Sequence, residues 1–402
     1  MPKTRTRERA ANALLVIGSV VFTLALVELG LRLIGFSYPT TWRFDNITGK
    51  ALLAGAQMWN TQEGRAYVQI NSDGLRDVER TIEKPGDTLR IAILGDSYAE
   101  AIQVPVEDAF WRVMAGQLAQ CPRLNGKRVD ALNFGVSGFG TVQELLTLRH
   151  KVWKYSPDIV LLAFLTGNDI RNNLRELQQG ANQPYYVYRD GNLELDDSFL
   201  KKPSSRFMGS VFGEWWFAAV PHSRVLQLLV KFSHYFEQLN SSAEKNQRKA
   251  ARRLYEQGLD NEVYSPPSSP AWVQAWTVTE DLLRLMNAEV KAHDASFLLV
   301  TLSNASQVNP DPAARKRFAT SLDIDDLLYP DKRIEHFAGQ EEIPFIMLAP
   351  ALQAWAEQQG ECVHGFDNAE PCAGHWNERG HRLAGTIIAE RICQSLPLVP
   401  GT

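Results

Sequence analysis

Four polar clusters in this chain hold residue types that can do acyl chemistry: Gly95-Asp96-Ser97-Tyr98, Asn133-Phe134-Gly135-Val136-Ser137-Gly138-Phe139-Gly140, Thr166-Gly167-Asn168-Asp169 and Gly374-His375-Trp376-Asn377-Glu378-Arg379-Gly380-His381. A serine hydroxyl is a poor nucleophile until an imidazole can take its proton, and amide donors on other loops can stabilise the charge of a tetrahedral oxygen. Each cluster alone has a plainer reading. Gly-Asp-Ser after a strand is a common turn, and an Asn-Asp pair at a strand end is usual helix capping. The information lies in their order and in the elements that carry them. The Gly-x-Ser-x-Gly elbow is absent around Ser97, and Gly138-Phe139-Gly140 lacks the third glycine of a dinucleotide-binding loop.

Short apolar runs precede three of these clusters. Leu89–Leu94 leads to Gly95, Val129–Phe134 to Gly135, and Asp158–Phe164 to Gly167, while Ser296–Thr301 and Pro344–Leu348 repeat the pattern later. Such runs read as buried strands of a parallel sheet. Amphipathic stretches separate them, at Asp108–Gln120, Thr141–Tyr155 and Val273–His293, the last with Trp276, Leu282, Leu283, Leu285 and Met286 toward a core. Strands alternating with helices imply an α/β, doubly wound parallel sheet, whose active sites gather at the carboxyl ends of the strands. Residues from about 175 to 270 break this rhythm and read as an inserted helical cap. It carries Trp215-Trp216-Phe217, whose expected role is core packing of the insertion, a sugar platform or membrane-facing lip being the alternatives. Its basic segment Lys245–Arg253 reads as a solvated helix face.

In these four blocks and their order the chain resembles the SGNH/GDSL hydrolase family, over residues 89 to about 393. The resemblance implies a flavodoxin-like sheet, Ser97 as nucleophile, His375 as general base, and an oxyanion hole from the backbone N–H groups of Ser97 and Gly138 with the Asn168 side chain. Family members commonly carry an aspartate two or three residues before the histidine, but Cys372 and Ala373 stand there. Asp367 and Glu370 are the nearest upstream carboxylates. Asp367 is the expected orienting acid, a Ser-His dyad oriented by a backbone carbonyl being the alternative, and Glu370 reads as solvated loop charge. Asp96 and Asp169 are expected to hold loops through backbone amides, and His381 to pack and cap. Asn71–Asp77 resembles a segment upstream of the serine block in membrane-anchored members, with Arg76 expected to tie it to the core.

Lys3, Arg5, Arg7 and Arg9 precede an uncharged run from Ala10 to Val27. At ~1.5 Å rise per residue this run nearly crosses a hydrocarbon core, which needs ~20 residues. The basic flank places the N-terminus in the cytoplasm and the chain after Phe36 outside it. Neither a small-x-small site nor a lipobox cysteine follows, so an uncleaved anchor is expected rather than a cleaved signal peptide. Glu28 and Arg32 stand at pairing distance on that helix. The expected organisation is a basic tail and transmembrane anchor over 1–36, a connector with a strand and turn over 37–88, and the hydrolase-like domain over 89–402.

Composition narrows the function classes. The net charge of -4 and the lack of a basic stripe beyond the first ten residues argue against a nucleic acid partner. No spacing implies a metal or organic cofactor. Four cysteines permit bridges Cys362–Cys372 and Cys121–Cys393, or four free buried thiols. The expected partners are a membrane, through one helix, and an acylated carbohydrate or lipid substrate. The expected function is hydrolysis of O-acyl esters in the cell envelope. O-acetyl transfer to an exported polysaccharide, or a non-catalytic envelope scaffold, are the competing readings.

Overall fold

A computed structural model describes residues 3–38, 40–178, 182–233, 235–236 and 259–395; the basic segment Lys245–Arg253 lies outside them. Helix α1 (Lys3–Leu33) leads to two antiparallel hairpins, β1 (Trp42–Asp45) with β2 (Gly49–Leu52) and β3 (Gln57–Asn60) with β4 (Ala66–Gln69). Then come β5 (Thr88–Gly95), α2 (Ser97–Glu100), α3 (Phe110–Leu118), β6 (Arg128–Asn133), α4 (Thr141–Thr147), β7 (Ile159–Phe164) and α5 (Asp169–Asn172). The insertion holds the hairpin β8 (Tyr185–Arg189) with β9 (Asn192–Asp196), α6 (Pro203–Met208), α7 (Val211–Ala219) and a helix α8 over 224–233. The chain returns through α9 (Pro270–Ala292) and β10 (Ser296–Thr301). It ends with α10 (Pro312–Ser321), α11 (Tyr329–Gln340), β11 (Phe345–Met347), α12 (Ala349–Gln359) and α13 (Glu378–Ser395).

Five strands pair in parallel in the order β11-β10-β7-β5-β6. Along the sheet's own strands this is the doubly wound, flavodoxin-like order, with its switch point between β5 and β7. The five apolar runs of the sequence are these five strands. Every residue of β5 and β7 is buried, so neither face reaches water. Leu89, Ile91 and Ile93 join one core with Phe110, Trp111 and Met114 of α3 and Ile388 and Ile392 of α13. Ala92 and Leu94 face the other, with Leu145 of α4, Leu282 of α9 and Phe337 of α11. The period of two along the strand thus divides its side chains between the two helical layers.

The stretch 37–88, read as a connector with a strand and turn, carries more structure than that, namely the four strands β1 to β4. Each is four residues long, too short for alternation to show. Arg76, just beyond them, is buried and donates to the carbonyls of Glu100 and Val104. The amphipathic run from Thr141 is α only as far as Thr147 and then continues as a π turn and a 3-10 turn to Tyr155. Both disulfides are formed, Cys121–Cys393 and Cys362–Cys372. In α7, Phe217 packs against Trp42 with ring centroids 5.7 Å apart, whereas Trp215 is 74% exposed. Core packing therefore holds for Phe217 alone, since two residues along a helix turn a side chain by roughly 200°. Ala11–Leu33 of α1 is long and apolar enough to cross a membrane and none of it is buried; Glu28 and Arg32 are paired at 2.8 Å.

His381 stacks on Phe110, and its Nδ1 accepts the Phe110 N–H at 3.3 Å. Burial, with the positive charge of Arg76 and the neighbouring histidines, pushes its pKa down to about 3. A pKa lowered on folding gives stability that is full above the unfolded value and is lost as pH falls through the folded one. Between pH 6 and 4, His381→Gln is expected to flatten the stability–pH profile by about 1.4 kcal/mol per pH unit, read from urea midpoints. An unchanged slope would show that the folded protein already carries that proton.

Candidate active site

β5 ends at Gly95, and Asp96 turns the chain into α2 by accepting the Tyr98 N–H on Oδ1 at 2.9 Å. This places Ser97 at the first position of α2, partly exposed at the carboxyl end of the central strand. β7 is the adjacent strand, and Asn168 follows it as the cap of α5, its Nδ2 donating to Asp96 Oδ2 at 3.1 Å. The other hydrogen of that amide has no partner among the described residues, so it can serve a third group. Gly138 lies on the loop after β6 with φ +83° and is exposed. The loop is held through both backbone groups of Ser137: its N–H donates to Glu100 Oε2 at 2.6 Å and its carbonyl accepts from Lys50 Nζ at 3.0 Å. Three loops from neighbouring strands thus meet around Ser97.

His375 arrives from a hairpin-like return closed by the Cys362–Cys372 bridge, in which His364 and Trp376 pair as an antiparallel bridge. Its Nε2 lies 2.8 Å from Ser97 Oγ. Its Nδ1 lies 2.6 Å from Glu63 Oε2, and its backbone N–H donates to Glu63 Oε1 at 2.7 Å. With Nδ1–H given to the carboxylate, Nε2 is the lone pair that accepts the serine hydroxyl. Burial pushes the Glu63 carboxyl up, but the hydrogen bonds and charge of His375 outweigh it and hold the pKa below the usual value.

The structure corrects the expectation for the orienting acid. Asp367 and Glu370 are both exposed, and neither reaches His375. The neighbour of Asp367 has the structural role instead: Asn368 accepts the Gly64 N–H and donates to the carbonyls of Thr61 and Gly64. These bonds clamp the β3–β4 turn that carries Glu63 against the disulfide loop. Two glycines make the approach possible. Gly64 has φ +70° and would press a Cβ into the Gln103 carbonyl, while a Cβ on Gly374, at φ +74°, would collide with Glu63 Oε1. Glu63 stands in a turn with nothing distinctive around it, so the sequence held no signal for it. The pair of glycines is the nearest thing to one.

A second layer, also missed, fixes the His375 backbone. Trp376 Nε1 donates to Ser303 Oγ at 2.8 Å, and Ser303 bonds His364 Nε2 at 2.9 Å. His364 Nδ1 and Tyr98 Oη both donate to the Gly374 carbonyl, at 2.7 and 3.0 Å. Burial pushes the pKa of His364 down to about 4, so at neutral pH it is an uncharged strut. Behind the serine loop, Asp96, Glu144 and Asp169 are fully buried. Burial raises the pKa of all three, Asp96's charge further raises Glu144, and the charges of Glu144 and then Asp96 further raise Asp169. Asp169 accepts the Leu165 N–H at 2.7 Å, whereas neither Glu144 oxygen has a partner among the described residues. Among the described residues no cluster could hold a metal ion.

No family model and no curated protein matches the chain. Solved structures do. An α/β hydrolase enzyme from the metagenome of Lake Arreo, Spain, is 12% identical with a TM-score of 0.37, covering 78% of this chain and 99% of its own. A GDSL-like lipase from Bacteroides thetaiotaomicron is 13% identical with a TM-score of 0.33, over 79% and 93%. An acetylxylan esterase from Geobacillus stearothermophilus is 12% identical with a TM-score of 0.35, over 78% and 97%. These likenesses, at 12–13% identity and TM-scores below 0.4, are distant ones.

A strong Nδ1–H···carboxylate bond shifts its proton resonance far downfield. Proton spectra are expected to show such a resonance for His375, lost in Glu63→Gln and kept in Asp367→Asn. The reverse pattern would return the orienting role to Asp367.

Proposed function

We propose that the chain is a serine-dependent acyl-ester hydrolase. The observation that carries the reading is the Ser97–His375–Glu63 relay, with Oγ–Nε2 and Nδ1–Oε2 separations of 2.8 and 2.6 Å. As Ser97 Oγ bonds to the acyl carbon, its proton passes to His375 Nε2, and the carbonyl electrons move onto the oxygen. The N–H groups of Ser97 and Gly138 and the Asn168 amide are the donors for that oxyanion. His375 then gives its proton to the departing alcohol, leaving acyl-Ser97. Water repeats the sequence, losing a proton to His375, and the acid leaves as the serine regains its own. Glu63 keeps its charge throughout and stabilises the imidazolium.

The chemistry needs no cofactor. The substrate class that fits is an O-acyl group on a carbohydrate or lipid of the cell envelope, since α1 supplies a membrane anchor with its basic end on the cytoplasmic side. The scaffold reading of the sequence rested on a missing acid, and Glu63 removes that ground.

Labelling the full chain in detergent with a fluorophosphonate should place the adduct on Ser97, and His375→Ala should lose it. With a short p-nitrophenyl ester, Ser97→Ala should abolish turnover and Glu63→Gln should lower kcat by about 10²–10⁴. Asp367→Asn should leave kcat unchanged. A folded protein with no adduct would overturn the reading, and acyl transfer to an oligosaccharide outpacing hydrolysis would make it a transferase.

A further inference from the structure

The insertion is fastened to α1 near the end of its apolar span. Glu28 accepts the Arg224 N–H on Oε1, and the Val225 N–H and Ser223 hydroxyl on Oε2, all at 3.0–3.1 Å. It thereby serves the free N–H groups of the first turn of α8. Arg32 donates to the His222 carbonyl at 2.8 Å, and the Tyr38 N–H donates to Gln227 Oε1 at 2.9 Å. Lys231 lies 5.4 Å from the Phe36 ring centroid. The join between α7 and α8 is thus held at a defined depth on the helix that crosses the bilayer.

Both helices then leave an apolar face uncovered at that level. On α7, Val211, Phe212 and Trp215 are 69%, 78% and 74% exposed, while Phe217 on the opposite side packs on β1. Along α8 and just beyond it, Leu229, Phe232 and Phe236 are exposed at the i, i+3, i+7 spacing of one helix face, with Tyr235 beside them. Phe207 of α6 adds a further exposed ring. Exposed lysines and arginines border this surface at Lys201, Lys202, Arg206 and Lys231. Large apolar side chains contiguous with a membrane helix and rimmed by cations match the interfacial layer of a bilayer: rings at the headgroup level, charges on phosphates.

We infer that α6, α7 and α8 form a foot seated in the interfacial layer of the bilayer that α1 crosses, with Phe212, Trp215 and Phe232 among the lipids. The occupant is phospholipid. A membrane seat is favoured over a sugar platform because the turn between α7 and α8, next to the patch, is joined by hydrogen bonds to α1. The foot converts a flexible tether into a fixed seat, so that the candidate active site is held at a set height and orientation above the membrane surface. The inference rests on α1 crossing the bilayer and is independent of the ester chemistry.

The test uses the full chain in nanodiscs of phosphatidylethanolamine and phosphatidylglycerol. A benzophenone side chain is placed at Phe212, Trp215 or Phe232, with exposed Trp59 of β3 as the control, and adducts are read by mass spectrometry. Lipid adducts at the three positions and none above background at Trp59 are the expected result. Cross-links to a second copy of the chain would make the surface a dimer face and overturn the inference. A chain that stays in the disc without lipid adducts would overturn it while sparing the anchor, and a chain that leaves the disc would overturn both. A second measurement needs no photo-reactive residue: doxyl-labelled lipids should quench wild-type tryptophan fluorescence more than that of Trp215→Phe. Equal quenching counts against the foot.

Discussion

A neutral imidazole presents a lone pair to a serine only if its other nitrogen has a fixed partner, and here that partner lies 312 residues away in the chain. Everything around the site is arranged to bring Glu63 to His375. The β3–β4 hairpin lifts the carboxylate, Asn368 clamps its turn, the Cys362–Cys372 bridge closes the loop from which Asn368 reaches, and Gly374 leaves room for the carboxylate oxygen. Because Glu63 holds both the ring and the backbone N–H of His375, it sets position and tautomer together.

The layer beneath works through neutral groups. His364, Ser303, Trp376 and Tyr98 form an uncharged hydrogen-bond chain that fixes the Gly374 carbonyl. A charged histidine in the same place would lack its acceptor role and add repulsion toward His375. On the other side, crowding Asp96, Glu144 and Asp169 into a dry space raises all three pKa values. The Asp96–Asn168 bond opposes that rise at Asp96 and holds the Asn168 amide beside the serine loop.

The N-terminal third of the chain links these two functions of place. One part, α1, meets the insertion through Glu28, and another, the β3–β4 hairpin, completes the relay. The segment that reads as a connector thus carries the turn from which Glu63 reaches His375.

The sequence by itself determined the sheet, the position of Ser97 and the long apolar N-terminal helix. Continuous apolar runs such as Ile91–Leu94, repeated between amphipathic stretches, suit a parallel sheet covered on both faces, and a Gly-Asp-Ser cluster after the first such run then stands at a strand end. The uncharged run of α1 forms a helix long and apolar enough to cross a membrane, with none of it buried. Only the tertiary structure decided which carboxylate serves His375. Proximity in sequence favoured Asp367, but the disulfide loop meets the β3–β4 turn through Asn368, which bonds Thr61 and Gly64, while Asp367 beside it is exposed and Glu63 on that turn reaches His375. Likewise Trp215 and Phe217 are both apolar and two residues apart, and only the direction of the helix face put one against β1 and the other into the open. Periodicity reports which residues share a face; which face meets which neighbour is settled by contacts between distant parts of the chain.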